Sequence, residues 1–272
     1  MAQTMDMTQG EPRKLMITFA VPMLISSLFQ QLYSFVDSVV VGRGIGAQAL
    51  AAVGATSTLS NLIIGFLQGL SGGFAIITAQ KFGAKDYKDV KKSFAMSLLI
   101  GTGIALFFTI FGLLFLQPIL KMLNVPANLL ETAKSYIFII IAGLVVTYLY
   151  DACAAALRSL GDSVTPLVIL AISVILNIIG DLFFVVILKS GVKGAAIATV
   201  LAQSIAFIVC WIYMIKRYEL LRLGREDFKN PSSAMVKNML SAGLSMGFMS
   251  SLVNIGSLTL QTAINKLGRD YI

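Results

Sequence analysis

The chain alternates between long apolar blocks and short polar connections. Seven apolar blocks lie at about residues 15–40, 50–80, 93–116, 132–157, 164–188, 194–215 and 238–264. Each block reaches or exceeds the ~20 residues that a helix needs to cross the hydrocarbon core of a membrane. No block shows the sustained alternation of apolar and polar residues that a membrane barrel requires. The pattern therefore predicts an all-α membrane protein with seven transmembrane helices.

Two cytoplasmic connections carry most of the charge between the predicted helices. They are "KFGAKDYKDVKKS" at 81–93 and "KRYELLRLGREDFKNPSS" at 216–233. The second connection is long and basic, and it ends with Asn230-Pro231 before a new apolar block, so it is the best candidate for a domain boundary. The connection at 116–135 has two prolines and predicts a short interfacial helix.

The seventh predicted helix repeats the first at a constant offset of 223 residues. The matching pairs are Lys14 with Lys237, Met16 with Met239, Met23 with Met246, and Ser27 with Ser250. Together with the boundary, this repeat predicts a six-helix lobe at 1–230, followed at 231–272 by the first helix of a second lobe. We expect the rest of that lobe to be missing through truncation, or to be supplied by another chain.

The distribution of charged residues predicts the orientation in the membrane and argues against nucleic acid as a partner. Only 12% of the residues are charged, against about 25% in a soluble domain. The net charge of +8 does not predict nucleic-acid binding, because the basic residues lie between helices and form no continuous patch. With the N-terminus in the cytoplasm, fourteen of the twenty-one Lys and Arg residues lie inside. The positive-inside rule therefore predicts a multi-pass protein of the cell membrane with a cytoplasmic N-terminus and an external C-terminus.

Three of the thirteen acidic residues fall inside predicted spans: Asp37, Asp151 and Asp181. A charged Asp near the middle of a membrane helix costs ~2.5–3.5 kcal/mol on insertion scales, so each of these residues is a functional candidate. Tyr33 and Gln30 precede Asp37 by one and two helical turns and share its face. The alternative is that this polar face only hydrogen-bonds to neighbouring helices.

A second polar face lies on the fifth predicted helix. Asn177 and Asp181 are four residues apart, as are Thr199 and Gln203 on the sixth helix. Carboxylate, amide and hydroxyl oxygens suit a hard cation such as Na⁺, and a carboxylate can instead hold a proton. Proximity of Asp37 to Asp181 would favour the uptake of either ion, because like charges repel in apolar surroundings. The spacing within each helix leaves open whether the helices meet.

The third acid has a structural interpretation. Arg158 lies two turns after Asp151 on the same face, which predicts an ion pair near the cytoplasmic interface. Cys153 and Cys210 are predicted to be ordinary buried packing residues. The glycine runs "GRGIG" and "GFLQGLSGG" belong to no phosphate-binding motif and predict close helix packing.

An enzymatic function is weighed and rejected. Tyr150-Asp151 and Leu160-Gly161-Asp162 are similar to the paired motifs of intramembrane aspartyl proteases, but the second motif lacks its first glycine. The two acids also lie too close in the sequence to come from separate spans. The chain has no histidine, the usual proton shuttle at neutral pH.

Four segments resemble the multidrug and toxic compound extrusion (MATE) transporters. They are "PMLISSLFQQLYSFVDSVVVGRGIGAQALAAVG", "ALRSLGDSVTP", "NIIGDLFFV" and "GVKGAAIATVLAQ". The resemblance implies two six-helix lobes around a central cavity, with alternation between outward-open and inward-open states. It also implies an antiporter that exports cationic amphipathic drugs against H⁺ or Na⁺, with no other cofactor.

The resemblance assigns roles by position. It implies an H⁺ or Na⁺ site in the N-terminal lobe, formed by Asp37, Asn177, Asp181 and Thr199. Tyr33 and Gln30 match the polar lining of the cavity, to which we add Gln203. Pro22 matches a proline at which the first helix bends, and a proline deletes a backbone hydrogen bond there.

Three departures from the family pattern qualify these roles. The seventh helix has no carboxylate where one branch of the family places a coupling Glu, which favours coupling in the N-terminal lobe. Asp151 stands where the family has an uncharged polar residue. A single copy also lacks most of a second lobe. The alternatives are a membrane scaffold that does not transport, and a flippase for lipid-linked precursors, which would need a more cationic cavity.

Overall fold

The computed structural model describes residues 10–123 and 125–266, and the side chains as far as residue 256 except at residue 12. No strand occurs in the described ranges. The helices are α1 (Pro12–Gly44), α2 (Ala47–Gly83), α3 (Tyr87–Leu114), α4 (Leu116–Met122), α5 (Leu130–Ala142), α6 (Leu144–Ser159), α7 (Val164–Asp181), α8 (Gly191–Arg217) and α9 (Ser233–Lys266). A π-helical segment, Leu182–Ile187, extends α7, and two 3₁₀ turns, Glu219–Leu221 and Arg225–Phe228, follow α8.

The predicted number of membrane spans agrees with the fold of the described residues. Six helices are long and apolar enough to cross a membrane by themselves, namely α1, α2, α3, α7 with its extension, α8 and α9. The pair α5 and α6 passes the same test when it is taken as one bent span, which brings the number to seven. The all-α membrane fold is therefore confirmed, and the helix ends lie within about six residues of the limits of the predicted apolar blocks.

The fourth predicted span is not one straight helix, which corrects the sequence prediction. α5 and α6 meet at Gly143 with a bend of 44°. A side chain at Gly143 would overlap Val200 of α8, so the bend occurs where a neighbouring helix approaches the backbone. Hydrophobicity alone cannot show such a bend, because the apolar block at 132–157 runs through Gly143 without interruption.

The fifth span changes its helical geometry immediately after Asp181. The backbone passes from the α-helical form of α7 into the wider π-helical turn of Leu182–Ile187. π-Helical turns are rare and frequently occur at functional sites. The apolar sequence "LFFVVI" gave no sign of this change.

Helices α2 and α9 pack closely along a stripe of glycines. A Cβ atom at Gly69 would overlap the backbone of Met246 and Gly247, and one at Gly73 would overlap Ala242 and Gly243. Small residues allow membrane helices to approach in this way. The packing interpretation of "GFLQGLSGG" is thus confirmed. In "GRGIG", by contrast, Gly46 has φ +121° and forms the turn between α1 and α2.

The buried core joins α2, α3, α6 and α8, whereas many large apolar side chains on the outer faces are exposed, as expected for contact with lipid. The hydroxyl of Tyr148 donates a 2.7 Å hydrogen bond to the Ser97 carbonyl oxygen, and Gly101 leaves room for its ring. Cys153 and Cys210 are adjacent, fully buried and not oxidised. Their predicted packing role is consistent with these positions.

Candidate functional site

Two acids from different membrane spans meet inside the helix bundle. α1 packs against α7, and this contact brings Asp37 close enough to Asp181 for the charge on one to act on the other. Asp37 is 8% exposed and Asp181 is completely buried. The sequence could place each acid on a helix face, but the helix packing decides that the two faces point at each other.

Polar residues of α1, α7 and α8 surround this pair. The amide nitrogen of Asn177 donates a 3.4 Å hydrogen bond to the Thr199 hydroxyl. The Tyr33 hydroxyl lies beside Thr199 and within electrostatic reach of both acids, but without a hydrogen bond of normal geometry. We call Tyr33, Asp37, Asn177, Asp181 and Thr199 the acidic cluster.

The acidic cluster contains buried acceptor oxygens that have no donor. They are Oδ1 of Asp37, Oδ1 of Asn177, and both carboxylate oxygens of Asp181. Leaving a buried acceptor unsatisfied costs about 1–3 kcal/mol, and more when the group is charged. A bound cation or proton would satisfy several of these atoms at once. The donor set of two carboxylates, an amide oxygen and a hydroxyl is made of hard oxygens, so it fits Na⁺ as well as a proton.

A cavity of about 410 Å³ lies next to the acidic cluster. Gln30, Tyr33 and Gln203, the residues that the sequence analysis assigns to the cavity, line it, and so do Asp37 and Thr199 of the acidic cluster. Asn177 and Asp181 do not line the cavity and lie behind its wall. An ion bound at Asp181 is therefore separated from a cavity ligand, while Asp37 faces both.

Pro22 lies within α1, away from the cavity lining. α1 continues through it as one helix, and the Ser26 hydroxyl donates a 2.8 Å hydrogen bond to the Pro22 carbonyl oxygen. The helix is thus continuous across Pro22, and bending at Pro22 stays a prediction.

The predicted ion pair between Asp151 and Arg158 is wrong. Asp151 is buried, lines the cavity, and its Oδ2 atom has no hydrogen-bond partner. No ion pair joins it to Arg158 among the described residues, although the guanidinium acts on it from a distance. Spacing on one helix permits two side chains to meet, but packing of the surrounding helices turns Asp151 towards the cavity.

The sequence analysis did not identify two further groups of residues that line the cavity. Tyr136 on α5 is buried, lines the cavity and lies within electrostatic reach of Asp37 and Asp181. A single tyrosine in an apolar run gives no signal that separates a site residue from packing. On α2, however, a polar stripe of helical spacing was visible and could have been found: Ser57, Ser60, Asn61 and Gln68.

Most residues of the acidic cluster lie in a segment that matches the model of a known protein family. The family model MatE matches residues 22–183, which is more than half of the chain and includes Asp37, Asn177 and Asp181. The chain belongs to the MatE family. Members of this family are transporters and not enzymes, so an enzymatic function is excluded on this ground.

Similar proteins support the same assignment for this MatE protein. It is 28% identical over 267 residues to the "Probable multidrug resistance protein YpnP" of Bacillus subtilis, covering 97% of this chain. That match spans only 58% of the relative. The fold is similar to that of a solved MATE structure in the "straight conformation", with a TM-score of 0.89, 26% identity, and coverage of 98% of this chain and 59% of the other.

A second solved structure, described as MATE in the "bent conformation", is less similar. Its TM-score is 0.83 at 27% identity, with coverage of 90% of this MatE protein and 55% of the other chain. The better fit to the straight form agrees with the uninterrupted course of α1 through Pro22.

Proposed function

We propose that this chain forms the ion-coupling lobe of an antiporter that exports cationic amphipathic compounds across the cell membrane in exchange for H⁺ or Na⁺. One observation carries the proposal. Two acids from α1 and α7 share a buried cluster whose acceptor oxygens lack donors, directly beside a cavity. The similarity to a probable multidrug resistance protein supports the substrate class.

The coupling follows from competition for Asp37. When the acidic cluster is empty, its two acids repel each other and attract a cation from the cavity. A proton or Na⁺ at Asp37 and Asp181 removes both effects, so the cationic substrate loses its counter-charge and leaves. Each ligand thus prefers one of two states, as any ligand-driven switch requires.

Bending of α1 at Pro22 is the proposed conformational step. Neutralised acids no longer hold the outer half of α1 apart from α7, and Pro22 supplies the weak point in the helix. With the N-terminus in the cytoplasm, Asp37 lies in the external half of the membrane, so the bend narrows the cavity and releases substrate outwards. Alternating access also needs a second lobe across the cavity.

Ion binding is tested on the purified chain in detergent. Thermal unfolding is measured in Na⁺ against K⁺ at constant ionic strength, and then across a pH series. We expect the coupling ion to stabilise the chain by about 2.7 kcal/mol at 100 times its Kd, because it binds only the folded state. Asp37→Asn and Asp181→Asn should each remove this response. Glu226→Gln, in an exposed loop ion pair with Lys229, should retain it.

The outcome separates the two ions and tests the proposal. A response to Na⁺ alone identifies Na⁺, and a response to pH alone that disappears in both Asn variants identifies H⁺. A wild-type chain that responds to neither ion contradicts a coupling role. Reconstituted chain that binds substrate but never exchanges it along an ion gradient, even with a second lobe present, would instead be a scaffold.

A further inference from the structure

We propose that Asp151 forms a second cation-binding position in the cavity, which gives the protein a preference for substrates that carry two positive charges. The inference rests on the proposed function, since it requires that the cavity accepts cationic compounds. It concerns residues outside the acidic cluster.

Asp151 is a buried carboxylate without a local counter-charge. It is 8% exposed, it lines the cavity, and its Oδ2 atom has no hydrogen-bond partner. Arg158 forms no ion pair with it. A carboxylate in this position is stabilised by a proton or by a cation that enters the cavity.

The neighbouring polar groups cannot satisfy Asp151 themselves. The Tyr150 hydroxyl donates to the Pro166 carbonyl oxygen at 3.4 Å, and the Ser173 hydroxyl donates to the Ala202 carbonyl oxygen at 3.3 Å. Oε1 of Gln203, elsewhere on the cavity wall, is also a buried acceptor without a donor. An ammonium or iminium group that enters the cavity would supply the donor that Oδ2 of Asp151 lacks.

The second position lies at a different depth from the acidic cluster. Tyr136, beside Asp37 and Asp181, stands on α5, and Asp151 follows fifteen residues later on α6, about 22 Å along the helix path before the bend is taken into account. Asp37 and Asp151 thus mark two separate anionic positions of one cavity.

The wall between these positions is mixed and in part apolar. It includes Ile64, Ile140, Leu170 and Val200 as well as neutral polar side chains. A matching substrate has an apolar or aromatic body with one cationic group at each end. A substrate with one charge leaves Asp151 or Asp37 without a partner.

An elongated dication and its half-molecule test this preference. Dequalinium carries one aminoquinolinium cation at each end of a decamethylene chain, and 4-amino-1-decyl-2-methylquinolinium carries a single cation at one end of the same chain. Binding of each compound to the purified full chain in detergent is followed by its fluorescence at low ionic strength. We expect the wild-type chain to bind the dication about ten-fold more tightly than the monocation. Asp151→Asn should reduce this ratio to about two-fold or less, and Asp151→Glu should preserve most of it.

The ratio of the two affinities is the decisive readout, because a partly unfolded sample lowers binding of both compounds equally. Glu226→Gln serves as the matched acidic control and should keep the wild-type ratio. An unchanged ratio in Asp151→Asn overturns the inference. If the wild-type chain shows the ion response and binds the monocation, but the ratio does not depend on Asp151, only this inference fails. If the wild-type chain binds neither compound, the proposed substrate class fails with it.

Discussion

Asp37 of α1 and Asp181 of α7 act on each other electrostatically, although they belong to the first and the fifth membrane spans. Three of their four carboxylate oxygens are buried and have no hydrogen-bond donor. Two neighbouring acids in this state attract a cation or a proton strongly. Substitutions that change the groups around them should therefore change the affinity for the ion or the conformational response to its binding.

Pro22→Ala should prevent bending of α1. Alanine restores the backbone donor that proline lacks, so the straight helix gains stability. A bend of about 20° at Pro22 would move Phe35, about 20 Å further along the helix, by roughly 7 Å. Spin labels at the exposed positions Phe35 and Phe107, with Cys153 and Cys210 replaced, would detect this movement. We expect the coupling ion to change the label distance in the Pro22 protein and to leave it unchanged in Pro22→Ala. Equal responses in the two proteins would exclude Pro22 as the hinge.

Tyr136→Phe should weaken ion binding while the fold remains intact. The variant removes a hydroxyl near Asp37 and Asp181 without changing the ring that packs at this position. As an oxygen ligand of the bound cation, the hydroxyl would contribute about 0.5–1.5 kcal/mol, so its removal corresponds to about a two- to ten-fold weaker apparent ion affinity. The ion dependence of thermal unfolding measures this change. Tyr87→Phe, at an exposed position of α3, should behave as wild type; equal ion affinities in all three proteins would remove Tyr136 from the site.

Gly73→Ala should loosen the contact between α2 and α9. Its Cβ atom would overlap the backbone of Ala242 and Gly243, and such overpacking costs about 1–3 kcal/mol. The adjacent Gly72→Ala is a matched control, since its Cβ atom would meet nothing within 4 Å. It should be neutral, or stabilising by up to about 1 kcal/mol, because alanine favours the helix.

Labelling of a cysteine at the buried position Met239 reports on this contact directly. Maleimide should react faster in the Gly73→Ala background than in the Gly72→Ala background. Identical labelling and identical unfolding temperatures in the two backgrounds would show that the glycine stripe does not hold α9 in place.

Tyr218→Phe should destabilise the end of the bundle at which α6 and α8 terminate. The Tyr218 hydroxyl donates a 2.6 Å hydrogen bond to Oδ2 of Asp162, and both residues are buried. Without it a carboxylate oxygen stays unsatisfied, which costs about 1–3 kcal/mol. Tyr213→Phe is the control, because its hydroxyl has only a 3.4 Å contact with Thr165. Thermal unfolding should show a larger loss of stability for Tyr218→Phe than for Tyr213→Phe. Equal losses of stability would show that the hydrogen bond to Asp162 contributes no more than the weak contact of Tyr213.

The same tyrosine should make stability depend on alkaline pH. Burial, and secondarily the hydrogen bond to Asp162, raises the pKa of Tyr218 above its ordinary value. The folded state then holds the phenolic proton more tightly than the unfolded state does. Its contribution is complete below about pH 10 and is lost as the pH rises further. Between about pH 10 and 12, the wild-type chain should therefore lose stability more steeply than Tyr218→Phe. Parallel stability curves would contradict this assignment.

The sequence by itself determined the number, order and approximate limits of the membrane spans. This is because each crossing requires about 20 apolar residues, and polar connections interrupt them visibly. It also revealed Asp37, Asp151 and Asp181, since a carboxylate is conspicuous in an apolar run. The faces shared by Gln30, Tyr33 and Asp37, or by Asn177 and Asp181, followed from helical spacing, which is a local property.

Only the tertiary structure decided which of these faces meet. Contact between α1 and α7 depends on how side-chain volumes fit across many residues, so the proximity of Asp37 and Asp181 could not be read from spacing within one helix. The same packing brought Tyr136 to the acids and turned Asp151 towards the cavity instead of Arg158. The bend at Gly143 arose where Val200 of α8 approaches the backbone. Hydrophobicity selects the spans, but close packing between spans selects the site.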